Sequence, residues 1–157
     1  MKKITKIIIV SAVCLLLGFL SGMSTRDNIT LWYPTLIKPV FNPPNWIFAP
    51  VWSILYVMMG FSGGLIWDHL ESNKNTVTKA LKFFVAQLAL NVLWSYLFFQ
   101  LHNITLALIE IFLLWLMIYE TYNQFLKIDK TAGKLLIPYL IWVGFASILN
   151  ASIWWLN

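Results

Sequence analysis

The feature that most constrains this chain is its series of long stretches without a charged side chain. Between Lys6 and Arg26 lie 19 uncharged residues, between Lys38 and Asp68 lie 29, between Lys82 and Glu110 lie 27, and after Lys134 come 23 more. A helix needs about 20 predominantly apolar residues to cross the hydrocarbon core of a bilayer. An ordinary soluble globule is excluded. Composition agrees: 60% of the side chains are hydrophobic and only 11% are charged, against roughly a quarter charged in soluble domains.

Hydropathy places spans at about 7–24, 46–67, 80–100, 104–125 and 135–156 of the 157 residues. The third and fourth share the run from Phe83 to Leu126, whose only charges are Glu110 and Glu120 and whose polar break falls at Gln100, His102 and Asn103. The expected fold class is an all-α membrane protein, a single five-helix transmembrane bundle over residues 1–157. The lysine-rich start could belong to a cleaved signal peptide. No small-residue cleavage site follows it, and Gly18 and Gly22 form a G-x-x-x-G pattern suited to close helix contact, so it is read as a retained first span.

Net charge is +5. Lys2, Lys3, Lys6, Lys74, Lys79, Lys82, Lys127, Lys130 and Lys134 all fall on one side of such a bundle, with only Arg26 and Lys38 opposite. Membrane orientation accounts for this better than a nucleic-acid partner does, with the N-terminus inside and the C-terminus outside. Cys14, the single cysteine, can form no internal disulfide and reads as a buried small hydrophobe.

Loop one, about 25–45, carries Pro34, Pro39, Pro43 and Pro44. Proline fixes φ and removes donors, so this segment is expected to be a shaped, non-helical lid, the alternative being a linker with no role. No nucleotide-binding or hydrolase motif appears, and His69 and His102 fall on opposite sides of the membrane, too far apart to share a metal.

Polar and aromatic residues inside the spans are the informative ones, because each is costly in lipid unless paired or facing a cavity. Gln87, Asn91, Trp94 and Phe98 share one face of helix three. Trp142, Ala146 and Asn150 do so in helix five, with Phe145 and Leu149 on the adjacent edge, and Trp52, Tyr56 and Gly60 in helix two. Each stripe alone could be interhelical packing. Counting turns brings them to a common depth beneath loop one, where an aromatic pocket with a few directed polar groups would suit a small molecule. Glu110, two turns into helix four, has either a structural hydrogen-bonding role or a ligand or proton role. Glu120 is expected to reach the interface and Trp115 to pack in the bundle or against lipid.

Several of these residues carry a family resemblance. Trp32-Tyr33, Lys38-Pro39, Pro43-Pro44-Asn45-Trp46, Pro50-Val51-Trp52, Leu55-Tyr56 and Met59-Gly60 resemble the signature of the translocator protein family, also called TspO/MBR or peripheral-type benzodiazepine receptor. Gln87-Leu88-Ala89-Leu90-Asn91 with Trp94 and Phe98-Phe99, and Pro138-Tyr139-Leu140 with Trp142, Phe145-Ala146 and Leu149-Asn150, extend it through the chain. The resemblance implies a homodimeric, five-helix membrane receptor of bacterial plasma-membrane type. It would bind protoporphyrin IX, isoquinoline carboxamides or benzodiazepines in a pocket closed by loop one, and require no cofactor. Carried over position by position, the ligand-binding residues are Tyr33, Trp52, Asn91, Trp94, Trp142, Phe145, Ala146 and Leu149. The resemblance further implies light- and oxygen-dependent porphyrin degradation, with Trp52 and Trp142 as the catalytic candidates. A transporter of porphyrin or lipid and a regulatory membrane interaction protein acting through the Gly18 to Gly22 face are the alternatives. Cholesterol is doubtful as a partner, because Leu149-Asn150-Ala151-Ser152-Ile153-Trp154-Trp155 lacks the central tyrosine and terminal basic residue of the family's sterol consensus.

Overall fold

The computed structural model describes residues 1–157. Five membrane-length helical segments form the molecule. Helix α1 spans Lys3–Leu31, α2 Phe48–Asp68, α3 Lys74–Ser95 and α4 Ile104–Ile128, while a short α5, Lys130–Leu135, leads into α6, Ile137–Leu156. The chain is a multi-pass integral membrane bundle. Its nine lysine-bearing positions outside loop one gather at one end, called here the basic end, and the α1–α2 connection crosses the other.

The helices depart from the hydropathy boundaries for reasons of backbone chemistry. Helix α1 does not stop near Ser24 but continues through the stretch read as the start of the lid. There the hydroxyls of Ser24, Thr25 and Thr30 bond back to carbonyls of the preceding turn, Ser21, Gly22 and Asp27. Nothing interrupts the hydrogen-bond ladder until Pro34, which lacks an N–H and disfavours helical geometry in the residue before it. The non-helical cover is therefore shorter than expected. It is a strap from Trp32 to Ile47 containing two single turns of 3-10 helix, Tyr33–Thr35 and Asn45–Ile47.

Helix α3 widens into a π-helical turn at Tyr96–Gln100 before the chain reverses at His102, whose φ is 52°. Asn103 then caps α4, its side chain accepting from the N–H of Leu106 at 2.9 Å. The fifth span is not one helix from Leu135. Asp129 caps the short α5, accepting from the N–H of Ala132 at 3.0 Å, and the ladder breaks at Leu136 because Pro138 can donate no bond to the preceding turn.

Close packing of α1 on α2 organises the bundle. A Cβ on Gly60 would lie 2.2 Å from the backbone of Ser11, and one on Gly64 would lie 2.4 Å from that of Ile7. These glycines let the two backbones approach as small residues do in membrane helix pairs, where shape fit replaces the hydrophobic driving force. Gly18 likewise admits the ring of Tyr56. Half of the G-x-x-x-G pattern is thus spent inside the molecule. Towards the basic end, Met59, Ile66, Val77, Phe84, Ile118 and Phe125 form the buried core, and Lys6 pairs with Asp68 at 3.0 Å. In the strap half the packing is looser and aromatic.

Candidate functional site

A cavity of 120 Å³ lies in the strap half, walled by α1, α2, α3 and α6 and reached from the strap by Tyr33. Tyr33, Trp52, Asn91, Trp94, Trp142, Ala146 and Leu149 all line it; Phe145 does not. Helical rotation explains the exception. At about 100° per residue, the lining positions of α6 from Trp142 to Ile153 fall within an arc of about 100°, and Phe145 lies about 40° beyond its edge. Its ring instead meets Phe41 of the strap at 6.3 Å and Trp142 at 5.5 Å.

The polar groups of the cavity are largely engaged with one another. The Tyr56 hydroxyl donates to Asn91 Oδ1 at 2.6 Å, and Asn91 Nδ2 donates to the Tyr139 hydroxyl at 2.8 Å, joining α2, α3 and α6 through one amide. Trp94 Nε1 donates to Asn150 Oδ1 at 3.0 Å, and Asn150 Nδ2 donates to the carbonyl of Ile104 at 3.3 Å. These bonds lock the rotamers of the side chains that shape the wall. Trp142 Nε1 is different, being buried with no partner. It is an unspent donor on the wall of an apolar cavity, and an indole N–H can only donate.

Aromatic faces make up most of the remaining wall. Trp52 lies 5.8 Å from Tyr56 and 6.2 Å from Tyr139, while Trp94 stacks on Phe98 at 5.3 Å. Tyr33 is 3% exposed, and burial pushes its hydroxyl up to about 12. The neutral hydroxyl donates to Asn42 Oδ1 at 2.6 Å. Lys38 donates from Nζ to the carbonyls of Tyr33 and Leu36 and sits 5.1 Å above the Tyr33 ring. The one cationic side chain of the strap is therefore used to hold the strap's own shape.

The wall contributed by α1 was not legible in the stripes. Gly22, Thr25 and Ile29 line the cavity, and a Cβ on Gly22 would meet no atom within 4 Å. The small residues at spacings of three and four were the available signal: Gly18 faces the Tyr56 ring, and Gly22, itself exposed, borders the cavity. Tyr56, Phe98 and Asn150, present in the stripes, also line the cavity. Glu110 is buried outside it, and neither carboxyl oxygen has a hydrogen-bond partner. Glu120 accepts from Gln124 at 2.5 Å, and Trp115 donates to the carbonyl of Leu140 at 3.1 Å. His69 meets Asp129 at 3.4 Å at the basic end, while His102 stacks on Trp32 at the other.

A wider groove of 950 Å³ runs along the outer faces of α4 and α6. Its hydroxyl groups are spent within their own helix, Ser147 on the Val143 carbonyl and Ser152 on that of Ile148. Of its indoles, Trp115 and Trp154 are hydrogen-bonded and only the exposed Trp155 keeps a free N–H, whereas the inner cavity gathers tryptophans from three helices around a buried donor and is taken as the candidate site.

Comparison with known proteins fits this geometry. The profile described as the TspO/MBR family matches residues 10–156. The chain is similar to the tryptophan-rich protein TspO of Chlorobaculum tepidum, with 40% identity over 99% of this chain and 98% of that one. It is also similar to the translocator protein of Bos taurus, at 37% over 87% and 81%. With the tryptophan-rich sensory protein of Cereibacter sphaeroides the identity is 38% over 80% and 77%.

Proposed function

The chain belongs to the TspO/MBR family, and from that premise we propose that it is a membrane receptor for a flat, apolar tetrapyrrole such as protoporphyrin IX, bound in the strap-covered cavity. The observation that carries this reading is the meeting of Trp52, Trp94 and Trp142, from three separate helices, on one cavity whose one fully buried, unpartnered polar atom is the Trp142 N–H. Indole faces offer large rigid contact area to a planar ring system, and one fixed donor selects a ligand that brings an acceptor to that place. Asn91 acts mainly through the wall, since both ends of its amide already hold tyrosines.

Tyr33 is the strap's contribution to the lining, so the strap covers the cavity at that end. The basic end is assigned to the cytoplasmic side by the bias of lysines.

Titration of the purified, detergent-solubilised protein with protoporphyrin IX, followed by quenching of tryptophan fluorescence, tests the reading. Trp52→Phe and Trp142→Phe are each expected to weaken binding; affinity unchanged in both would refute the site. Repeating the titration under light and dark, with the porphyrin absorption bands as readout, separates a receptor from an enzyme that degrades its ligand.

A further inference from the structure

The cavity is not closed equally on every side. Helix α1 packs along both α2 and α3, and α4 along both α3 and α6. Helix α2 meets the fifth span closely only through α5, at the basic end, where Ser62 Oγ donates to the carbonyl of Ala132 at 2.7 Å. Towards the strap no such seam joins α2 to α6, and their bonded link runs indirectly, through Asn91. Rings bridge the gap instead. Phe48 reaches Trp142 and Trp52 reaches Tyr139, each at 6.2 Å and edge to face. Trp52 and Trp142 line the cavity, yet both are only half-buried, as is Phe145. Phe145 stands just outside the lining, between Trp142 and Phe41 of the strap.

These rings are also the unpinned ones. Tyr56, Asn91, Trp94 and Tyr139 are fixed by hydrogen bonds, whereas Phe48 and Phe145 carry no polar side-chain atom and the Trp142 N–H bonds to nothing. Swinging them aside breaks no hydrogen bond. It also bares no backbone, because the N–H and carbonyl groups of each helix pair within that helix. In a bilayer the rings exchange contact with one another for contact with acyl chains, at little net cost. Displacing the strap is different, since Asn157 accepts from the N–H of Ile37 at 3.0 Å and donates to its carbonyl at 2.8 Å.

We propose that the strap half of the α2–α6 seam is a lateral portal, gated by Phe145, through which the ligand passes between the bilayer and the cavity while the strap stays in place. The inference rests on the reading that a flat, apolar tetrapyrrole occupies the cavity. Such a molecule partitions into lipid, so its reservoir lies beside the seam. A gate sets how fast the site is reached and left, and does not change the free-energy difference between the free and bound states. Phe145 acts through Trp142 and Phe41, its ring neighbours, and not as part of the wall.

Stopped-flow mixing of protoporphyrin IX with the full chain in phosphatidylcholine nanodiscs, read by tryptophan quenching, tests the portal. Phe145→Ala should raise association and dissociation together, each about fivefold, the factor that one lost ring-edge contact corresponds to, with Kd within about twofold of the parent. Phe145→Tyr keeps the ring and should keep the parental rates. Asn157→Ala releases the strap and leaves the seam intact, so neither rate should change. Unchanged rates in Phe145→Ala, a rise in its dissociation alone, or equal acceleration by Asn157→Ala would overturn the portal, the last by placing entry beneath the strap. Failure of the underlying reading looks different: the unaltered protein would not bind protoporphyrin IX, or Trp52→Phe and Trp142→Phe would bind it as well as the unaltered protein does.

Discussion

Filling the cavity from α1 tests its role without touching an aromatic residue. Gly22 forms part of the wall, and a Cβ there meets nothing within 4 Å, so Gly22→Leu can extend its side chain into open space. Four carbons at interior density take up roughly 100 Å³, space that the ligand would share along this wall. The helix itself should benefit, because glycine is about 1 kcal/mol less favourable than a good helix former at an interior position. The ligand loses what the leucine covers. With roughly 100 Å² of apolar contact forfeited, at about 25 cal/mol per Å², the deficit is about 2.5 kcal/mol, or close to a hundredfold in Kd. The assay pairs a thermal melt in detergent with a protoporphyrin IX titration. A variant that melts at or above the parent temperature and binds about a hundredfold more weakly is the expected result. Full affinity in a folded Gly22→Leu protein would refute the placement of the ligand between α1 and α6.

Two further outcomes follow from hydrogen-bond geometry. Trp94→Phe removes the donor to Asn150 Oδ1 and leaves a buried acceptor unpaired, at a cost of about 1–3 kcal/mol. Trp142→Phe deletes an N–H that bonds to nothing, so the thermal midpoint should fall further for Trp94→Phe. At the basic end, burial works to raise Asp129. The N–H groups of Ala132 and Thr131 and the ring of His69 outweigh it, and the carboxyl is held below its ordinary 3.8. A folded value below the unfolded one means that its contribution is complete above 3.8 and is lost as pH falls through the lowered folded value. The protection of the Ala132 amide against hydrogen exchange, relative to its intrinsic rate at each pH, should therefore hold at neutral pH and fall only in that acid range, whereas Asp129→Ala should lower it at neutral pH as well.

The spans were legible because the bilayer imposes a length, and charged residues outside the apolar runs mark where each can end. Hydropathy reports what sits in lipid, however, and not where a hydrogen-bond ladder stops. This is why α1 runs on through the polar turn of Thr25 to Leu31 and α4 continues past Phe125 to Ile128. Depth along each helix transferred well, since a rise of about 1.5 Å per residue leaves little freedom, and Trp52, Asn91, Trp94 and Trp142 do meet around one cavity. Rotation transferred less well. Phe145 shares its depth with Trp142 yet turns to the strap, because residues three apart differ by about 60° around the axis. Partnership was not legible at all. The spacing of Gly18 and Gly22 is the same whether the facing surface is a second subunit, a tyrosine ring or empty space, and here Gly18 meets the ring while Gly22 meets the space. The glycines that do bring two backbones together, Gly60 and Gly64, lie on α2 opposite Ser11 and Ile7. Small residues along a membrane helix therefore mark close approach or a void, and only the opposing residue decides which. In this bundle the same kind of surface builds the tightest seam towards the basic end and one wall of the cavity towards the strap.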